Sequence, residues 1–122
     1  MDKNFAEKFV ADWIEAWNEH DLQRILTHYT EDFEMSSPVI RVLAGEPSGT
    51  LRGKKAVGAY WEKALLTLKN SPGARFEKVG VYLGAKSLTL LYRGHRGLSA
   101  EVFHFNDQGR VHQAIAHYEQ PV

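Results

Sequence analysis

The chain has 122 residues and a formal net charge of zero, with 15 lysines and arginines against 15 aspartates and glutamates. That balance argues against a nucleic-acid partner, which a basic excess normally announces, and the absence of cysteine removes disulfides and thiolate zinc sites while fitting a reducing compartment. No apolar run approaches the roughly 20 residues needed to span a bilayer, and the opening "MDKNFAEKFV" lacks a signal-peptide core; the expectation is one cytoplasmic domain over residues 1–122 with no membrane partner.

Taken in order, "NFAEKFVADWIEAWNE" (4–19) carries apolar residues at Phe5, Phe9, Val10, Trp13, Ile14 and Trp17. Spacings of three and four predict an amphipathic helix, with Asp2 or Asn4 as its cap. A second, shorter helix follows, capped by Asp21 and with Leu22, Ile25, Leu26 and Tyr29 on its apolar face. In "DFEMSSPVI" the period changes to two, and Phe33, Met35 and Ser37 alternate with Glu34 and Ser36 as in a short strand. Pro38 ends that strand or marks it as an edge. Residues 41–53, rich in glycine, read as an irregular loop covering the mouth of any pocket beneath. "KKAVGAYWEKALLTLK" is a third helix, stopped by "NSPG".

The remainder reads as a meander of four strands: "RFEKVGVYLG", "SLTLLYRG", "GLSAEVFHFN" and "RVHQAIAHYE". Their short links make consecutive strands antiparallel neighbours. Segregated helices and strands give an α+β class, with three N-terminal helices on one face of a curved mixed or antiparallel sheet.

The "RGHRG" turn sets a register. It pairs Arg93 with Leu98, Tyr92 with Ser99 and Leu90 with Glu101, and paired residues share a face. One face then holds Leu90, Tyr92, Ser99, Glu101, Phe103 and Phe105. An even-length loop at "NDQG" adds His112, Ala114, Ala116 and Tyr118 to it, whereas a bulge at Gly109 would slip the last strand by one residue and exchange its faces. The first face is aromatic and is expected to meet the helices. The second, with Leu98, Ala100, Val102 and Ile115, is apolar enough to pair with another copy of the chain, so a homodimer through the outer sheet face is expected.

Glu101 is the one carboxylate among the rings of the inward face. It is either solvated at the rim or kept in an apolar cavity, where burial or a ligand would shift its ionisation. Other constellations are weak. His104 and His112 approach each other only in the bulged register, and without HxH, HxxxH or HExxH spacing no metal site is expected. No phosphate loop and no nucleophile elbow is present.

The element order, "WIEAWNEHDLQRILTHYTEDFEMSSP" and "EVFHFNDQGRVHQAIAHY" resemble the NTF2-like superfamily, with its SnoaL-type cyclases and ketosteroid isomerases. The resemblance covers nearly the whole chain. It implies a cystatin-like cone: a curved sheet wrapped by helices around an apolar pocket, commonly dimeric through the outer sheet face. Against the ketosteroid isomerases, the helix-1 tyrosine falls at Trp13 and the base before a proline falls at Ser37. The protonated acid of those enzymes, a neutral carboxylic acid that donates to an oxyanion, falls at Glu101. Trp61 stands where a supporting tyrosine sits, and Tyr29 at an aromatic lining position. Two of three polar groups are therefore replaced, since Ser37 is no carboxylate base and Trp13 donates only through its indole N–H. The acidic residue on the last strand of SnoaL-type cyclases has no counterpart in "QAIAHY".

Residues and resemblance together imply a pocket for a small apolar molecule, without cofactor or metal. Trp13, Trp17, Tyr29, Phe33 and Met35 are its expected walls on the helical side and first strand, with Ser37 beside them. Trp61, Tyr92, Phe103 and Tyr118 complete it, and Glu101 is the candidate acid/base or hydrogen-bond donor. An isomerase-, cyclase- or hydrolase-like enzyme acting on a cyclic carbonyl compound and a non-catalytic carrier both fit this set.

Overall fold

A computed structural model describes all residues from 1 to 122. Helix α1 (Lys3–Asn18) begins at Asp2, whose carboxylate accepts from the Phe5 N–H at 2.8 Å and so satisfies one of the free donors of the first turn. Its apolar stripe, including Phe9, Val10, Trp13 and Trp17, is buried. Helix α2 (Leu22–Leu26) is capped by Asp21. Asp12 on α1 accepts from Arg24 and pairs with His28 at 2.6 Å, clipping the two helices together. Tyr29, expected on the face of α2, instead opens strand β1 (Tyr29–Ser36).

Residues 37–53 are more ordered than their glycine content suggests. Ser37 caps a short helix, α3 (Pro38–Leu43), by accepting from the Val39 N–H at 3.1 Å, and Pro38 takes the first helical position, where its missing N–H costs nothing. Strand β2 (Thr50–Arg52) then pairs antiparallel with β1. The sheet is therefore wrapped by four helices rather than three. The fourth, α4 (Lys54–Lys69), buries Val57, Tyr60, Trp61, Leu65 and Leu68.

Strands β3 (Glu77–Leu83), β4 (Ser87–Gly94), β5 (Gly97–Phe105) and β6 (Val111–Tyr118) complete one six-stranded sheet in the order β2-β1-β6-β5-β4-β3. Only the β1–β6 pair is parallel. The β4–β5 register is the one the "RGHRG" turn predicts: Leu90 faces Glu101, Tyr92 faces Ser99 and Arg93 faces Leu98.

The last hairpin combines both registers foreseen for it. From Gln113 to Tyr118 the even register holds, placing Ala114 opposite Phe103 and Ala116 opposite Glu101. Next to the turn the pairing shifts by one, so that Phe105 meets Val111. Val111 is consequently buried and His112 is exposed, which corrects the expectation of His112 on the inner face. The shift follows from the turn. Asn106 accepts through its side chain from the N–H groups of Gln108 and Arg110, and Gly109 takes a φ of 76°, which side-chain-bearing residues rarely adopt.

Phe9, Trp13, Tyr29, Phe33, Phe103 and Phe105 fill the space between α1, α4 and the inner sheet face. Phe9 packs edge-on against both Phe103 and Phe105 with ring centroids 5.0 Å apart. Leu91, Leu98, Ala100, Val102 and Ile115 on the outer face are half-buried. No helix is long and apolar enough to cross a membrane.

Candidate functional site

The sheet and helices do not close fully on one another. They leave a cavity of about 130 Å³ between α1, α3, α4 and the inner face of β4–β6. Trp13 and Trp17 line it from α1, and Tyr60, Trp61, Ala64, Thr67 and Leu68 from α4. Met35, Val39 and Leu43 close one side and Phe76 another. Tyr92, Ser99, Glu101 and Tyr118 come from the sheet, while His95 and Arg96 sit at the tip of the β4–β5 turn. The exposed Thr67, His95 and Arg96 mark the mouth, and the buried Trp13 and Glu101 the interior.

Alternation along the strands explains why the inner wall is aromatic and acidic at once. Ser99 pairs with Tyr92 on one side and Tyr118 on the other, and Glu101, two residues along β5, shares their face. Asn18, at the end of α1, fixes the opposite corner: its side chain accepts from the Phe76 N–H at 2.7 Å and donates to the Phe76 carbonyl at 3.0 Å. The Phe76 ring is thereby stacked on Trp17, with centroids 5.7 Å apart.

Glu101 is 4% exposed. Burial raises its carboxyl to about 8, with no hydrogen-bond or charge partner acting against that rise. Taking a carboxylate out of water without a partner is costly, so the proton is retained instead. Four phenols surround it. Burial, and then the Glu101 charge, push Tyr29, Tyr92 and Tyr118 upward. Tyr60 is raised chiefly by burial and is partly relieved by the Ser37 hydroxyl. At neutral pH the interior is thus lined by neutral O–H groups.

Seven of the eleven residues expected at the site line the cavity: Trp13, Trp17, Met35, Trp61, Tyr92, Tyr118 and Glu101. Tyr29, Phe33 and Phe103 face inward as expected but form the packed layer behind that wall; Phe33 and Phe103 are fully buried. Ser37 borders a second, shallower hollow with Arg41 and Ser48, and its hydroxyl is occupied in capping α3. The Trp13 indole N–H is likewise committed, donating to the Tyr29 hydroxyl at 2.9 Å. It is therefore not free for the donor role that its position in the resemblance suggests. Trp17 is the converse case, with a buried N–H that has no acceptor.

Tyr60, Phe76, Ser99 and Arg96 line the cavity although sequence reasoning did not assign them there. Tyr60 shares the apolar stripe of α4 with Trp61 and was legible as inward-facing, whereas nothing local marks Arg96. His104 and His112 do approach on the outer face, with ring centroids 6.3 Å apart, but nowhere do three or more histidine, aspartate or glutamate side chains gather in a metal-binding arrangement.

Comparison with known proteins gives a consistent picture. The family model of the SnoaL-like domain matches residues 10–118. A SnoaL-like protein of unknown function from Burkholderia thailandensis E264 is 50% identical, with a TM-score of 0.89 over 98% of each chain. A putative isomerase of the SnoaL-like family from Agrobacterium tumefaciens C58 is 18% identical, with a TM-score of 0.72 over 96% of this chain and 99% of that one. SalBIII, an epoxide hydrolase/cyclase-like enzyme with a role in pyran ring formation in the polyether salinomycin, is 17% identical, with a TM-score of 0.73 over 98% and 94%. These last two share the fold. No curated protein matches the sequence. The matched span, the six-stranded sheet and the 50% identical neighbour place the chain in the SnoaL-like family.

Proposed function

We propose that the cavity takes a small, largely apolar cyclic compound and that Glu101, in its neutral form, donates a proton or a hydrogen bond to an oxygen of that compound. One observation carries this reading: a carboxyl on the cavity wall with no partner in the protein. At pH 7 an acid that titrates near 8 is protonated about ten times in eleven, so it can act as a general acid or as a donor to a developing oxyanion. A carbonyl, epoxide or ring ether offers the acceptor. The size of the cavity narrows the class. An apolar cavity of about 150 Å³ holds one benzene ring, so about 130 Å³ admits a single ring whose substituents reach toward the mouth. Isomerase-, cyclase- or hydrolase-like chemistry on such a ring also fits the descriptions of the two distant neighbours.

Glu101→Gln tests the reading, with monocyclic ketones and epoxides as substrates and product detection by mass spectrometry. Turnover is expected to fall by roughly 10²–10⁴-fold, while binding, read by tryptophan fluorescence, stays within a few-fold. Undiminished turnover would remove Glu101 from the chemistry. A non-catalytic carrier is the second reading, favoured by one specific feature: Ser37 stands at the position of the base and is occupied in capping a helix. For a carrier, the wild-type protein binds and returns every compound unchanged. The half-buried apolar residues of the outer face further support pairing of two copies there. Sedimentation equilibrium reads that pairing, and a monomer at high micromolar concentration would count against it.

A further inference from the structure

We infer that the ligand carries a carboxylate, and that Arg96 at the cavity mouth receives it while the ring lies inside. This inference rests on the single-ring reading above and adds a polarity and a specificity-determining residue to it.

Arg96 is the only arginine or lysine on the cavity wall. Its guanidinium lies over the Tyr118 ring, 5.8 Å from the centroid, so the exposed side chain leans toward an inner-wall residue. None of the chain's ion pairs involves it, although its rim neighbours leave it accessible. Its charge reaches inward as well, favouring the ionised forms of Tyr60 and Tyr118. The wall's single carboxyl, Glu101, is neutral at pH 7. The cavity therefore presents one fixed positive charge, no fixed negative charge and low-dielectric aromatic walls. Such walls focus the field of that charge through the mouth and raise the local concentration of anions.

A planar guanidinium with five N–H donors matches a carboxylate in bidentate geometry, and a carboxylate is the smallest such anion that a single-ring ligand can carry. Stacking on Tyr118 leaves the edge of the fork, which bears the donors, free to meet it. The two-residue turn between the paired Gly94 and Gly97 holds Arg96 at the rim, so a carboxylate borne by the enclosed ring meets it at the mouth. The predicted ligand is then a monocyclic compound with an oxygen function directed at Glu101 and a carboxylate on the opposite side of the ring.

Titration with 4-oxocyclohexanecarboxylate and with its methyl ester, followed by tryptophan fluorescence, tests this directly. The wild-type protein is expected to bind the carboxylate at least tenfold more tightly than the ester at low salt, and the preference is expected to shrink as salt is added. Arg96→Gln, a substitution at an exposed turn tip, is expected to abolish the preference while leaving ester affinity within twofold. Arg96→Lys is expected to restore part of it, since charge returns without the fork. Equal affinity for the two compounds, preference for the ester, or a carboxylate preference that survives Arg96→Gln overturns the inference and leaves the single-ring cavity standing. Binding of neither compound overturns the single-ring reading and this inference with it.

Discussion

Folding stability is expected to fall by on the order of 5 kcal/mol as pH rises from about 5 to about 9, and Glu101→Gln is expected to remove most of that fall. The Glu101 carboxyl titrates near 8 in the folded protein and near 4.5 when unfolded. Between those values the folded state holds a proton that the unfolded chain releases, so each increment of pH favours unfolding. The stability is fully present below the unfolded value and lost on passing through the folded one. At about 1.4 kcal/mol per pH unit, the gap is worth on the order of 5 kcal/mol. Asp12 shifts the other way. Its hydrogen bond to Arg24 lowers it from 3.8, so its contribution is lost only in acid, outside this window. Urea unfolding at pH 6 and at pH 8.5 measures the effect. Above pH 8, Glu101→Gln is predicted to be the more stable protein, since the amide has no charge to bury. A wild-type curve that is flat across the window would show that Glu101 is solvated when folded. A loss of this size is a large fraction of the 5–15 kcal/mol typical of a domain, which is the pattern expected where a site is kept for its chemistry at the expense of stability.

Trp13→Ala is expected to cost about 3–5 kcal/mol. Trp13 is 1% exposed and packs against Trp17, Phe76, Tyr92 and Phe103, with ring centroids between 5.4 and 5.8 Å away. Truncation forfeits the transfer energy of the indole and opens a void that surrounding rings of fixed shape fill poorly. It also takes the donor from the Tyr29 hydroxyl, itself fully buried, adding the penalty for an unpaired polar group. Trp13→Phe keeps a ring but loses the N–H, so it is expected to fall between wild type and Trp13→Ala. Urea denaturation measures both. A cost below about 1 kcal/mol for Trp13→Ala would contradict the packing described for the cavity wall.

The parts of this fold legible in the sequence are those with a local cause. The period of the apolar residues located α4 from its first residue to its last, and a two-residue turn located the β4–β5 register, because such a turn leaves no freedom in pairing. Glu101 followed from that register alone. The order β2-β1-β6-β5-β4-β3 has no comparable local cause, since the parallel β1–β6 contact joins segments far apart in the chain. Helix α3 did carry its signals, a capping serine followed by proline, but glycines on its C-terminal side obscured so short an element. Alternation assigned Tyr29, Phe33 and Phe103 to the correct face and could not tell the cavity wall from the layer behind it, because both are apolar and inward. The exchange of Val111 and His112 came from a left-handed glycine whose effect ends after two residues, so neither a fully slipped strand nor an unslipped one described it. Arg96 lies in a polar turn and acquires its place only from the cavity beneath.

The central claim is that Glu101 stays neutral at physiological pH inside an aromatic cavity. Carbon-13 NMR of the side-chain carboxyls in glutamate-labelled protein, with Glu101→Gln to assign the resonance, follows its ionisation directly. One carboxyl is expected to titrate near 8 and to be absent from the variant. A Glu101 resonance titrating at the ordinary glutamate value near 4.3 would contradict the claim.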